Sequence, residues 1–463
     1  SAGETRLSRV GPWGFDPWQS IESVAETKPD TLADFDGDGR NDLAGIRGGI
    51  PVVMMNDVEP SGGYVEVRFK GIADNASGRV NHYAIGSVME CRFGPHYRAR
   101  IVTTPSTHFG VGSGHAPSSI RAILPNGLTQ SISNPPINSL VEEEQTLKGS
   151  CPYLYAWNGD SYEFVTDCLW AAPLGLQVAW GVVAKDRPWE YLKIDGRNIR
   201  PRDNKYDFRI TEELWEVAYF EKIALTVVDH PNDVEVWTNE KVGPPSIASP
   251  TIFAFNKDSL HAARPALDTK GRDVTGLLAD ADENYVQAFD RNLRQGLCQP
   301  HWIDLGFEDA ATTSDDERFY LVLTGWIFPT DTSLNIQIDQ NPNLPAVEFP
   351  SLWVPDPSSP DGWRQAIEFI GFPGGKTKTI VVDVTDSFNR NDPRLRVRTS
   401  AQIYWDRAQL AVQREPADFR VEDVDLLSAQ VALHGFSKKQ RTDLTRPENY
   451  DYQTASPGPR WPP

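Results

Sequence analysis

Between residues 34 and 42 the chain reads Asp-Phe-Asp-Gly-Asp-Gly-Arg-Asn-Asp, a spacing of carboxylates that suits a hard cation. Calcium takes six to eight oxygen ligands at roughly 2.3–2.6 Å, and alternate side chains on a tightly turning loop can supply them. Asp34, Asp36, Asp38 and Asp42 stand at the first, third, fifth and ninth positions of such a loop. Arg40, at the seventh, offers its backbone carbonyl, and Gly39 permits the sharp turn. The twelfth position, where an EF-hand carries its bidentate Glu, is Gly45, and Asp42-Leu-Ala-Gly-Ile46 runs on into a strand. The spacing therefore points to a calcium loop outside the EF-hand class. Its alternative is a solvated acidic turn.

Other residues have the types needed for catalysis but weaker spacing. Cys298, His301 and Asp304 contain a nucleophile, a base and an acid, although catalytic partners usually come from distant segments. Asp229 beside His230 could orient an imidazole, but Asp229-His-Pro231 is also a good turn sequence and reads better as one. Gly110-Val-Gly-Ser-Gly114 is glycine-rich but is followed by no Lys or amphipathic helix, and reads as a turn between strands. No GxSxG elbow or HExxH helix is present. Trp353, Trp363 and Trp405 could stack on sugars or fill a core, and Asn75-Ala-Ser77 fits the N-glycosylation pattern. Acid pairs for glycoside hydrolysis are defined by their separation in space, which the sequence does not give.

Positioning such residues falls to strands. The 14 Trp, 14 Tyr and 20 Phe suit the gap between packed sheets, and the 36 Pro and 35 Gly supply turns for many short strands. Gly63–Lys70 alternates, with Tyr64, Glu66 and Arg68 on one face and Val65, Val67 and Phe69 on the other. Residues 207–211, 224–228, 319–324, 334–338 and 395–399 read as strands in the same way. Helical periodicity is confined to residues 265–278, 284–295 and 405–414. The expected class is all-β, with several β-sandwich-like domains in tandem behind an N-terminal calcium-loop segment, and few short helices. Turn clusters divide the chain into a loop segment at 1–60 and a first β domain at 61–146. A second β domain follows at 147–245, then a partly helical connector at 246–315. A C-terminal sandwich at 316–415 precedes an extended tail at 416–463 with little core of its own.

Composition limits the partners. Lys plus Arg number 45 against 64 Asp plus Glu, a net charge of −19 that repels nucleic acid and favours divalent cations. No apolar run approaches the ~20 residues of a membrane helix. Four cysteines do not make a disulfide scaffold in 463 residues. Cys151 and Cys168 flank a hairpin-like segment and could pair in an oxidising compartment, or all four could be buried thiols. A first residue of Ser without Met leads us to expect an export signal removed upstream and a longer parent polypeptide.

Thr31–Ala44 resembles an FG-GAP (VCBS-type) repeat, the calcium-binding blade unit of integrin-like propellers. Val65-Glu-Val-Arg-Phe-Lys-Gly71, Tyr83–Gly86, His108–Gly112 and Ile120–Gly127 resemble the ASPIC/UnbV domain that adjoins such repeats in cartilage acidic protein-like proteins. Cys151–Gly159 and Asp229-His-Pro231 are similar to a C-terminal extension of bacterial members. A propeller needs roughly four to eight blades, and only one such repeat is present. The resemblance implies a secreted, non-enzymatic calcium-binding protein with a structural, adhesion or scaffolding role. Its partners would be other subunits or further copies of itself, and glycans are a further candidate. The alternative reading is a carbohydrate-active enzyme or a lectin-like module using Trp353 or Trp363.

Overall fold

The computed structural model describes residues 6–456 apart from 8–9, 12–13, 16–18, 21–25, 60–61, 72–79, 114, 126, 146–150, 171–175, 185–186, 188, 213–218, 288, 291–294, 311–315 and 441–444. Strands take 48% of the chain and helices 5%, so the all-β class expected from the sequence holds. The chain forms two compact units, one up to residue 147 and one from 148 onward.

In the first unit, strands Thr27–Ala33, Asp42–Arg47 and Ile50–Met54 form an antiparallel sheet. Two further sheets face each other. One contains, in order, His96–Ile101, Val88–Phe93, Pro117–Ile123 and Thr129–Ser133. The other sets Gly63–Lys70 between Thr107–Gly112 and Ser139–Glu144, the last of these running parallel to it. The alternation read from Gly63–Lys70 is the one observed. Val65, Val67 and Phe69 are fully buried against Met89, Cys91, Phe109 and Ile120, while Tyr64, Glu66 and Arg68 face outward. Burying these three apolar side chains contributes about 1.5–3 kcal/mol each.

The second unit is built around strand Arg394–Gln413, twenty residues long. Along its length it pairs with Leu297–Gly306, Arg318–Phe328, Ser351–Pro355 and Leu260–Ala262. Lys378–Asp383 joins on the far side of Arg318–Phe328. Leu305, Leu321, Leu323, Ile380, Leu395, Val397 and Leu410 fill the core. Smaller sheets surround this one. Tyr153–Trp157 lies between Tyr162–Asp167 and Phe208–Thr211, and Tyr450–Ser456 pairs with Phe436–Lys439. The tail residues Tyr450 and Tyr452 pack on this first group, Tyr450 stacking on Tyr153 with centroids 4.1 Å apart.

Four sequence expectations are corrected. Residues 334–338 were expected as a strand but lie in the α-helix Thr332–Gln340. A five-residue Leu-Asn-Ile-Gln-Ile alternation is too short to decide, and Asp331 decides it by accepting the Leu334 N–H at 2.8 Å as an N-cap. Residues 405–414, expected as helical, fall almost wholly inside the long strand. Six of these ten positions are buried, on both faces of the strand, and the apolar residues at 405, 408, 411 and 412 also fall at helical spacing. Residues 265–278 hold the strand Ala266–Asp268 and a 3₁₀ turn at Thr275–Leu277, and the described part of 284–295 contains no helix.

One buried ion pair ties the hairpin at Tyr162–Asp167 to the main sheet. Asp167 accepts from Lys378 Nζ at 2.5 Å and from Trp170 Nε1 at 2.6 Å, and both charged side chains are almost fully enclosed. Removing one partner of such a pair strands the other charge. We expect Lys378→Met to cost about 3–5 kcal/mol in urea unfolding, and Asp167→Asn added to it to recover part of that loss. Equal losses in the single and double variants would show that no charge is stranded.

Candidate metal centre

The carboxylate loop bridges strands Thr27–Ala33 and Asp42–Arg47, whose register sets Ala33 opposite Asp42 and so closes the loop at its base. Gly37 and Gly39 have φ of 79° and 84°, left-handed values that a residue with a Cβ rarely adopts. Asp34 Oδ1 accepts the Gly37 N–H at 2.7 Å and the Asp38 N–H at 3.1 Å, and its Oδ2 accepts the Gly39 N–H at 2.7 Å. Asp42 is only 1% exposed, and its two oxygens accept the N–H groups of Phe35 and Asn56, each at 2.8 Å. Carboxylate oxygens of Asp34, Asp36 and Asp42 lie within 4.8 Å of one another, the one such group among the described residues. Each oxygen has about two lone-pair sites, so an N–H donor leaves room for a cation.

Asp38 is placed differently. It turns to Arg40, whose Nε donates to Asp38 Oδ2 at 2.5 Å, and this hydrogen bond holds the Asp38 carboxyl below the usual range. Arg40 also reaches the Val58 carbonyl at 2.9 Å. Three of the four expected carboxylates are therefore brought together and the fourth is held by an arginine. Gly45 sits in a strand where a Cβ would lie 2.4 Å from the Lys28 carbonyl, so no side chain could stand at the twelfth position.

Two residues that sequence reasoning missed fix the loop to the sandwich. His108 Nε2 donates to the Gly39 carbonyl at 2.8 Å, and its ring stacks on Tyr64 at 5.4 Å. A Cβ on Gly39 would fall 1.9 Å from the Tyr64 ring, so glycine is required by contact as well as by backbone angle. The available signal was the outward face of Gly63–Lys70, which carries Tyr64; nothing in the spacing pointed to His108.

The other candidates are dispersed. His301 and Asp304 lie three residues apart in one strand and so face opposite sides. Asp304 is held by Arg396 at 2.6 and 2.9 Å, and burial pushes the His301 imidazole below its ordinary range. Cys298, 4% exposed, precedes a break in the pairing register, and no triad forms. His230 is exposed and bonds only the Pro231 carbonyl through Nδ1, with Asp229 ending its strand. Gly110–Gly112 belong to strand Thr107–Gly112, with a register shift between Gly110 and Gly112, rather than to the turn expected there, and residue 114 lies outside the described residues. Trp363 is 8% exposed beneath the Arg396 guanidinium at 4.2 Å, Trp353 lies under Arg398 at 5.6 Å, and Trp405 is in the core. The expected sugar-stacking surface is thus covered by arginine. Cys151 lies near Cys168, whose S–H is directed at the Pro152 carbonyl at 3.4 Å. Asn75-Ala-Ser77 lies outside the described residues.

Compared with protein-family models the chain matches none, and compared with curated proteins it matches none.

Two buried acids had no sequence signal. Burial pushes Glu190 up to about 7, and burial together with the nearby Asp282 and Glu283 carboxyls pushes Asp406 up to about 6. Asp406 is 1% exposed, accepts the Glu283 N–H at 3.3 Å through Oδ2, and has no partner for Oδ1. A raised carboxyl pKa means the folded chain keeps its proton while the unfolded chain releases it. The stabilisation is full below pH 3.8 and is lost as pH rises through about 6. The difference is about 3 kcal/mol at about 1.4 kcal/mol per unit. Asp406→Asn should flatten this part of the stability–pH profile and raise stability at pH 7.5. An unchanged slope in chemical unfolding would assign it to other groups.

Proposed function

We propose that this is a secreted, calcium-binding, non-enzymatic protein that acts through its surfaces as a structural or adhesive subunit of a larger assembly. Its organisation would be the one its motifs resemble, an FG-GAP-type loop beside an ASPIC/UnbV-like sandwich. The observation that carries the calcium reading is the convergence of Asp34, Asp36 and Asp42 oxygens within 4.8 Å. Three gathered carboxylates on a half-exposed loop resemble the low-affinity end of calcium sites, near 10⁻⁴–10⁻³ M as an order of magnitude, which extracellular calcium can fill.

A bound ion would neutralise converging negative charge where the loop meets Tyr64 and His108. Its role would be to stiffen that joint. The placement of His301 and Asp304 on opposite faces of one strand supports the non-enzymatic reading. The arginines over Trp353 and Trp363 weigh against the lectin-like alternative.

Binding to the folded state alone stabilises by about 2.7 kcal/mol at a hundredfold excess over Kd. We therefore expect melting of the first unit to shift upward in millimolar calcium and to return in chelator. Asp36→Asn removes a converging carboxylate while disturbing one 3.2 Å backbone contact, and should abolish the shift. Identical melts in calcium and chelator would refute the calcium reading.

A further inference from the structure

We propose that the chain associates with a second copy of itself by strand addition, the acidic arm beginning at Arg420–Val424 of one copy pairing antiparallel with the basic edge strand His96–Ile101 of the other. This gives the subunit reading above a specific partner and rests on that part of it, independently of calcium.

The arm has an open edge. Arg420–Val424 pairs with Leu225–Asp229 on one side and with nothing on the other among the described residues. From 420 to 433 every residue is exposed, including Leu426 at 65%, Leu427 at 69%, Val431 at 102% and Leu433 at 88%. Extended backbone with unpaired N–H and C=O groups and apolar side chains in water is a template for another strand.

The edge strand has matching chemistry. His96–Ile101 ends its sheet, pairing among the described residues with Val88–Phe93 alone, and all six of its residues are exposed. Arg98 and Arg100 have no ion pair among the described residues, and Tyr97 and Ile101 are 53% and 66% exposed. Arg98 lies over the Phe93 ring at 5.5 Å, which leaves its charge without an acidic partner, and in a chain of net charge −19 an exposed strand with two such arginines suits an acidic one.

Alternation fixes the register. On the arm, Asp423 lies on one face of the strand and Glu422 and Val424 on the other, and continuing the extended backbone past Val424 would put Asp425 with Asp423 and Leu426 with Val424. On the edge strand, Arg98 and Arg100 share one face and Tyr97, Ala99 and Ile101 the other. Setting Val424 opposite Ala99 places Asp423 opposite Arg100, Asp425 opposite Arg98 and Leu426 opposite Tyr97. A slip of one residue sets both aspartates against the apolar face. Two arms paired with each other would oppose acid to acid, which this register avoids.

Light scattering on the full chain over a concentration series tests the proposal. The expected result is a mass above the monomer that falls with added salt. Arg98→Glu with Arg100→Glu, and separately Asp423→Arg with Asp425→Arg, should each weaken association at least about tenfold by opposing like charges. Mixing the two variants should restore it, which a folding defect could not do. Val424→Cys and Ala99→Cys chains, mixed and oxidised, should cross-link to each other. A monomer at every concentration, or association unaffected by either charge reversal, would overturn the proposal. Parallel runs in calcium and chelator separate the two readings. Loss of association with intact calcium binding refutes strand pairing alone, and association without calcium binding refutes the metal centre alone.

Discussion

A carboxylate withdrawn from water needs N–H donors, a cation or a proton, and in a chain of net charge −19 this requirement recurs in both units. Asp42 is matched by two backbone N–H groups, Asp167 by Lys378 and the Trp170 indole, and Asp268 by Arg272 and backbone donors. Asp406 is left half satisfied, and its raised pKa shows the proton as the remaining solution. The Asp34–Asp42 loop combines the first two of these solutions. Donors from its own backbone hold Asp34 and Asp42 inward, Arg40 takes Asp38, and the convergent oxygens of Asp34, Asp36 and Asp42 remain for a cation.

This arrangement ties chemistry to architecture. Turning the loop back on Asp34 requires left-handed backbone at Gly37 and Gly39. Because Tyr64 occupies the space a Cβ on Gly39 would need, the loop settles directly on the outward face of the sandwich. His108 closes the joint by donating to the Gly39 carbonyl. A cation in the loop would therefore act on a contact between two sheets of the first unit, where small gains in rigidity reach the sandwich. The second unit meets the same requirement by different means. Along its long strand Arg394–Gln413 charge is held in pairs such as Asp304 with Arg396 and Glu317 with Arg414, with the buried Asp406 as the exception.

Much of this was legible in the sequence where local pattern and burial agree. Gly63–Lys70 alternates cleanly because one face is core and the other solvent, and its strand and faces are as read. The carboxylate spacing gave three convergent acids, since alternate positions on a turning loop point inward together. It could not give the defection of Asp38, which depends on where the Arg40 side chain goes. The long strand was obscured for a different reason: both of its faces are largely covered, and Trp405, Ala408 and Ala411 mimic a helical repeat across the partial alternation of residues 407–413. Leu334–Ile338 mimicked a strand until the Asp331 cap decided for helix. Trp353 and Trp363 read as stacking candidates because nothing local announces the arginines that cover them from residues 396 and 398. Long-range pairing of this kind is set by topology, and one sequence does not display it.

The central proposal is that Asp34, Asp36 and Asp42 gather to hold a calcium ion. An experimental structure of the chain grown in millimolar calcium tests it most directly. The predicted result is a single ion at roughly 2.3–2.6 Å from oxygens of all three carboxylates, with the Arg40 carbonyl completing that side. The contradicting result is the same loop conformation, with Asp34 still accepting its three N–H groups and only water between the carboxylates.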